Sequence, residues 1–233
     1  MLQYPKKSHR KHVRTPKHSV MLAELFGIIM GDGSIWNTHQ FKISLNSTSD
    51  YNYALYIETL IKKLFDVDTG FMARKKEKTL VLSVSSTTII EYLLKNGLVF
   101  GNKIKNQIDI PTWIKRNKYY SRAVVRGLTD TDGCLYLHNH EIKGKKYCNL
   151  GYCFVSYSLP LLYSMIEILN NNKIKYKIEN NKKIYIYNAK EITKYLHVFD
   201  SSNERIKNIY FNWLKNKKYN KMLIYDKSNI LIN

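Results

Sequence analysis

Cysteine is scarce in this chain. The three present, Cys134, Cys148 and Cys153, show no C-x-x-C spacing, which excludes a disulfide framework and suits a reducing compartment. Long apolar runs are missing as well. None approaches the roughly 20 residues that a bilayer-spanning helix needs. The basic start MLQYPKKSHRKHVRTPKHS has no apolar segment behind it, so no signal peptide is expected. These absences lead to the expectation of a soluble, intracellular protein, in cytoplasm or organelle matrix. Acidic residues are the third deficit. They number 18 against 38 basic ones, for a net charge of +20.

That excess of cation makes a polyanion the first partner to consider. The plainer source is coding bias, since Lys, Asn, Ile and Tyr abound as an AT-rich gene would produce. Position along the chain must therefore decide. The hydrophobic share of 44% and charged share of 24% suit a globular fold. The length of 233 residues allows one large domain or two small ones.

Residues 1–18 form a dense basic tail with Pro5 and Pro16, expected to be flexible or to lie along a partner. Beyond it the chain reads as a duplication. Helical periodicity ending in G-D-G or T-D-G occurs at 20–32 and again at 120–132, with Asp132 following Asp32 by 100 residues. Each copy continues with a strand pair (34–37 with 40–48; 134–138 with 146–157) and a helix (51–65; 159–171). A second strand pair (70–75 with 79–85; 173–179 with 183–187) and a short helix (87–97; 189–199) complete it. The order is αββαββα, twice, giving repeats at 19–107 and 120–200. Between them 108–119 reads as a linker around Pro111. A basic segment follows at 201–233, with a helix expected over 203–218.

The strands carry the clearest pattern. Phe41, Ile43 and Leu45 alternate with Gln40, Lys42, Ser44 and Asn46, which places the apolar set on the helices and the polar set on an open face. Lys173, Lys175 and Lys177 alternate with Ile174, Tyr176 and Ile178, and Lys183 and Tyr185 with Ile184 and Ile186. Arg74 and Lys76 fall at the end of the third strand of the first copy. Such faces suit a nucleic acid, because strands can enter the major groove and these side chains read base edges. An ordinary solvated sheet face is the plainer alternative.

The helix ends carry the chemistry. Gly27 and Gly31 are four residues apart, as are Gly127 and Thr131, so each pair shares a helix face. Small residues there let two helices approach closely, about a pseudo-twofold axis, bringing Asp32 and Asp132 together. Gly33 and Gly133 read as helix-stopping residues. A carboxylate at a helix C-terminus opposes the dipole by roughly 0.3–1 kcal/mol, and two such ends repel, raising at least one pKa. A divalent cation removes both problems. Mg²⁺ takes one or two carboxylates and completes its shell with water and phosphate oxygens, and two or more such ions supply the parts for phosphodiester hydrolysis. Mn²⁺ or Ca²⁺ could substitute in binding. The plainer reading of each Asp-Gly is a turn after a helix.

LFGIIMGDG (25–33) and VRGLTDTDG (125–133) resemble the paired motif of the LAGLIDADG homing endonucleases in their single-chain, two-repeat form, over essentially all of 20–200. The resemblance implies an α+β fold of two tandem repeats related by a pseudo-twofold axis. Each would pack a curved antiparallel sheet on helices, forming a saddle over a long duplex DNA site. It implies a monomer that cuts both strands across the minor groove, leaves 3′ overhangs and serves the mobility of an intron or similar element. Asp32 and Asp132 map to the metal-binding acids, joined by the carbonyls of Gly31 and Thr131. The basic residue near each scissile phosphate maps to Lys103, and to Arg205 or else Lys207. Met30 stands where the motif has its first acid, which Asp130 keeps, and reads as packing. Phe26 and Arg126 replace a small residue, and Arg126 is expected to point toward solvent or DNA.

The literal HNH at 138–140 lacks an acidic or cysteine partner, so His138 and His140 read as surface residues rather than zinc ligands. Cys148 and Cys153 read as packing. A splicing maturase binding intron RNA on the same scaffold is the alternative function, and a DNA-binding regulator that has lost cleavage is another. Retention of both aspartates opposes the latter. An intein is not expected, since the chain starts with Met and Asn233 follows no His.

Overall fold

A computed structural model describes residues 13–216. Most of the basic tail and residues 217–233 lie outside the described residues. Two helices form the centre. Helix α1 (Val20–Gly31) starts at Ser19, whose hydroxyl accepts from the Leu22 N–H, and is buried on all sides from Leu22 onward. That explains its nearly uniform apolar sequence. Helix α5 (Lys118–Thr131) is capped by the Asn117 side chain and packs along α1. A Cβ on Gly27 would run into the carbonyl oxygen of Val124, and one on Gly127 into the carbonyl of Glu24. The expected close approach is present, and it is pseudosymmetric.

Each central helix leads into a four-stranded antiparallel sheet. In the first, β1 (Gly33–Asn37), β2 (Gln40–Asn46), β3 (Gly70–Arg74) and β4 (Thr79–Ser85) lie in the order β1-β2-β4-β3. In the second, β5 (Gly133–Ile142), β6 (Lys145–Val155), β7 (Lys177–Glu179) and β8 (Lys183–Ile186) lie in the order β5-β6-β8-β7. Helices α2 (Tyr51–Phe65) and α3 (Thr87–Lys95) follow the strand pairs of the first copy, and α6 (Leu159–Asn171) and α7 (Ala189–Phe199) those of the second. The αββαββα order therefore occurs twice, with equivalent sheet topology. Phe41, Ile43 and Leu45 of β2 are buried while Ser44 and Asn46 are exposed, as the alternation predicts.

Several expectations change. Gly33 and Gly133 do not use a left-handed backbone. Their role is space, since a Cβ on Gly33 would lie 2.5 Å from Ile29 Cα and one on Gly133 2.5 Å from the Thr129 carbonyl oxygen. Lys173 and Lys175 are not in a strand. Lys173 turns left-handed (φ 55) after α6, and the Lys175 N–H is taken by the Glu191 carboxylate at 3.0 Å rather than by a ladder. Strand β7 thus begins at Lys177, and no face of three lysines forms.

The hairpin β5–β6 is longer than expected. It closes on Lys143 and Gly144, both at positive φ, as a two-residue hairpin turn requires. The segment 108–119 is not a loose connection. Ile108, Ile110 and Ile114 are buried, and Thr112–Lys115 forms the short helix α4. Residues 13–18 lie on the protein: Val13 packs on the core, and His18 stacks on Trp113 at 3.9 Å. The last helix, α8 (Glu204–Asn216), is basic only outside, since Ile206, Tyr210 and Trp213 are buried. Among the described residues no helix is long and apolar enough to cross a membrane.

Candidate active site and nucleic-acid interface

Asp32 and Asp132 are the C-cap residues of α1 and α5, each with its main-chain N–H bonded back into its helix. A Cβ on Gly31 would touch the Thr131 side chain and sit 3.5 Å from the Asp132 Cγ, so the two helix ends adjoin. Burial raises the Asp32 pKa to about 7, assisted by the Asp132 charge and opposed by Lys103. Sequence reasoning named repulsion as the cause, but desolvation is the larger one. Asp132 is also raised, by the protein mass around it and against Lys103. It is more open to solvent than Asp32.

Lys103 lies at this junction. Its ammonium donates to the carbonyl oxygen of Met30 at 2.9 Å and to that of Gly31. Burial lowers its pKa, against the pull of Asp132 and Asp32. Arg205 approaches from the start of α8, and its charge also acts on Asp32. Its Nε donates to Asp50 Oδ1 at 2.9 Å. Lys207 turns to Asp200 at 3.6 Å instead. The Thr131 hydroxyl bends back to donate to the Gly127 carbonyl at 2.8 Å.

Among the described residues no cluster of three or more His, Cys, Asp and Glu side chains could hold a metal. The donor set at the helix ends is two carboxylates and main-chain carbonyls. All are oxygens, as a hard divalent cation prefers, and the Lys103 ammonium on Gly31 shows that the spot favours positive charge. The residues present fit Mg²⁺.

The open sheet faces gather part of the predicted set. Ser34 faces Lys42, Lys42 faces Ser83, and Arg74 faces Thr79. Gln40 Nε2 donates to the Ser85 hydroxyl at 2.9 Å. Asn46 is engaged locally, its Oδ1 accepting from the N–H groups of Thr48 and Ser49. Arg74 is drawn to Glu77 at 3.4 Å, and Lys76 lies exposed in the short 3₁₀ turn Lys75–Glu77. On the second sheet Lys177 and Tyr185 are register partners, as are Glu179 and Lys183.

On that second face the surface reading of His138 and His140 holds, while the packing reading of the cysteines does not. His138 and His140 stack at 5.2 Å, and His140 on Tyr147 at 5.4 Å. Cys153 faces Cys134 across the strands and is half-exposed, and Cys148 is exposed. Neither Cys148 nor Cys153 is core packing: Cys148 lies on the exposed outer part of the longer β5–β6 hairpin, and Cys153 points to the open face between the buried Tyr152 and Phe154. Strict alternation from Cys134 through Tyr136, His138 and His140 was the available signal.

Arg126 does not point outward. It pairs with Glu24 at 2.5 Å, the carboxylate being 2% and the guanidinium 21% exposed. Glu24 also accepts from the Tyr56 and Ser202 hydroxyls. Met30 is core, as expected. Asp130 is buried, with a pKa raised by that burial to about 7 against hydrogen bonds from Ser201 and Ser202.

The I-LtrWI LAGLIDADG homing endonuclease bound to target DNA superposes over 85% of this chain and 91% of that one, with a TM-score of 0.54 and 15% identity. The chain has the LAGLIDADG homing-endonuclease fold. The meganuclease I-SmaMI bound to uncleaveable DNA aligns over 84% of this chain and 90% of its own, at TM-score 0.56 and 10% identity. Mesophilic variants of the homing endonuclease I-DmoI align over 78% and 96%, at TM-score 0.51 and 19% identity. In sequence, no family profile matches. A replication factor C small subunit from Methanocaldococcus jannaschii is 26% identical over 197 residues, 78% of this chain. The chain spans about a tenth of that protein's length. Within that fold α1 and α5 are the central pair, packed along each other where the two repeats meet.

Proposed function

We propose that this chain is a site-specific double-stranded DNA endonuclease that acts as a monomer and uses Mg²⁺. The observation that carries the reading is the meeting of Asp32 and Asp132 at two helix ends held together by Gly27 and Gly127. The raised pKa of each is the cost of the pairing at neutral pH, and a divalent cation between them would offset it. The repeats 19–107 and 120–200 would each take one half of a long duplex on an open sheet face, with Lys42, Ser44, Lys177, Lys183 and Tyr185 among the contacts.

Asp32, Asp132 and the Gly31 and Thr131 carbonyls would hold the ions. Mg²⁺ bound there supplies charge to polarise a scissile phosphate and to acidify a water. Lys103 and Arg205 would meet the phosphate charge from the two sides of the site. The Gly31 carbonyl that would hold an ion now accepts from the Lys103 ammonium. Cleavage of both strands across the minor groove, 3′ overhangs and service to a mobile intron belong to this proposal by resemblance.

The test is a duplex carrying the sequence that flanks the gene, joined without the insert, incubated with Mg²⁺. Cutting is expected, with loss of cutting but retained binding in Asp32→Asn and Asp132→Asn. An intact duplex together with tight binding of intron RNA would replace the nuclease by a maturase.

A further inference from the structure

The two basic residues beside the aspartates are held differently, and one carboxylate accounts for it. Asp50 stands at the N-cap of α2, yet its side chain makes no capping bond. It turns to the chain's C-terminal segment instead. Its Oδ1 accepts from Arg205 Nε at 2.9 Å and from Asn203 Nδ2 at 2.8 Å. Asn203 is buried and clamped. Its Nδ2 also donates to the Asp130 carbonyl at 3.3 Å, and its Oδ1 accepts from the Arg205 main-chain N–H at 2.9 Å. Arg205 is thereby tied to the turn of α5 that ends in Asp132. Burial pushes the Asp50 carboxyl up, but the bonds from Asn203 and Arg205 and the Arg205 charge more than offset that, and its pKa is lowered.

The other half lacks this device. The N-cap of α6 is Ser158, whose hydroxyl donates to the Ile108 carbonyl at 2.5 Å. Lys103 corresponds to Arg205 in the parallel stretches NKIKN (102–106) and ERIKN (204–208). Its ammonium rests on main-chain carbonyls of α1, one of them the Gly31 oxygen expected to bind metal.

We propose that Asp50 is a positioning residue for Arg205 alone, so that the two strand cuts are made by unequal halves. One uses a guanidinium fixed in advance, the other an ammonium that must first move. This rests on the nuclease reading. Partners that orient metal ligands contribute about 10–100-fold to affinity or activity, and that sets the scale expected for a carboxylate orienting Arg205.

The test is a supercoiled plasmid carrying the target duplex, cut in Mg²⁺ by the wild type, Asp50→Asn and Asp50→Glu. Asp50→Asn should slow one strand by about tenfold or more and leave the other nearly unchanged, so nicked circles accumulate. Asp50→Glu should recover part of the loss. Arg205→Lys leaves Asp50 in place and removes the Nε donor, and should give the same nicked product even if Asp50→Asn folds poorly. Apart from cutting, nitrogen-15 NMR should find the Arg205 Nε–H slow to exchange in the wild type and about tenfold faster or more in Asp50→Asn, as loss of a partly buried charge-assisted bond implies. Equal slowing of both strands, or unchanged exchange at Arg205 Nε, would overturn the proposal. If the wild type cuts no duplex, the nuclease reading fails, and the exchange measurement alone decides whether Asp50 holds Arg205.

Discussion

Replacing Asp32 by Asn should stabilise the metal-free protein, and only above acidic pH. In the fold its carboxyl titrates at about 7, against 3.8 for the unperturbed group. The folded state therefore keeps a proton that the unfolded chain has released. Raising the pH through this window destabilises the wild type, and the loss is complete above about pH 7. At about 1.36 kcal/mol per pKa unit, a rise of roughly three units sets a ceiling of about 4 kcal/mol. Asp32 is only partly buried, so about 2 kcal/mol is the realistic gain once solvent screening is allowed for.

Asn keeps the size of the side chain and the αR cap geometry while removing the charge. Urea denaturation followed by circular dichroism at pH 4, 5, 6, 7 and 8, with a chelator present, should give matching stabilities at pH 4 and a widening gap toward pH 8. Added Mg²⁺ at pH 8 should stabilise the wild type by about 2.7 kcal/mol at a hundredfold excess over Kd, enough to close that gap of about 2 kcal/mol and slightly reverse it. A gap independent of pH, or a wild type that gains on the mutant as pH rises, would refute the reasoning.

Mg²⁺ affinity should fall as the pH drops below about 7, because a protonated Asp32 must give up its proton to bind. Isothermal titration at pH 6 and 8 checks this. Gly27→Ala should cost about 2–3 kcal/mol in a denaturation curve, since its methyl meets the main-chain carbonyl of Val124, which cannot swing aside. Arg126→Met should cost about 3 kcal/mol by leaving Glu24 buried without its cation. Duplex affinity should fall steeply with salt, and Lys42→Ala should reduce the log–log slope by about 0.9, the value for one phosphate contact. A flat response would assign the net charge to coding bias.

The parts legible from sequence were those set by local periodicity and by the repeat. The 3.6-residue pattern of α1 and α5, the period-two alternation of β2 and the small residues Gly27 and Gly127 each encode their own geometry. The misses came from partners distant in sequence. Arg126 reads from sequence as pointing to solvent or DNA because nothing near it announces Glu24, 102 residues earlier. Lys173 and Lys175 alternate like a strand, but a left-handed turn and the Glu191 carboxylate capture that backbone. Asn46 has the chemistry of a base reader and also that of a turn cap, and the turn is closer. Ile108, Ile110 and Ile114 could have revealed that the connection between the repeats is core. Lys103 and Arg205 were reached by resemblance, since no local pattern tells a site lysine from its many neighbours.

The unequal hairpins have a consequence for symmetry. Strand β5 has 10 residues where β1 has 5. At roughly 3.3 Å per residue the second ribbon reaches about 17 Å farther, close to the axial length of about five base pairs at 3.4 Å each. The helix ends are paired about an axis, but the arms that leave them are not. A duplex gripped along both arms would be held off-centre, with a footprint longer on one side of Asp32 and Asp132 than on the other, and a perfect palindrome would leave the longer arm without a matching partner.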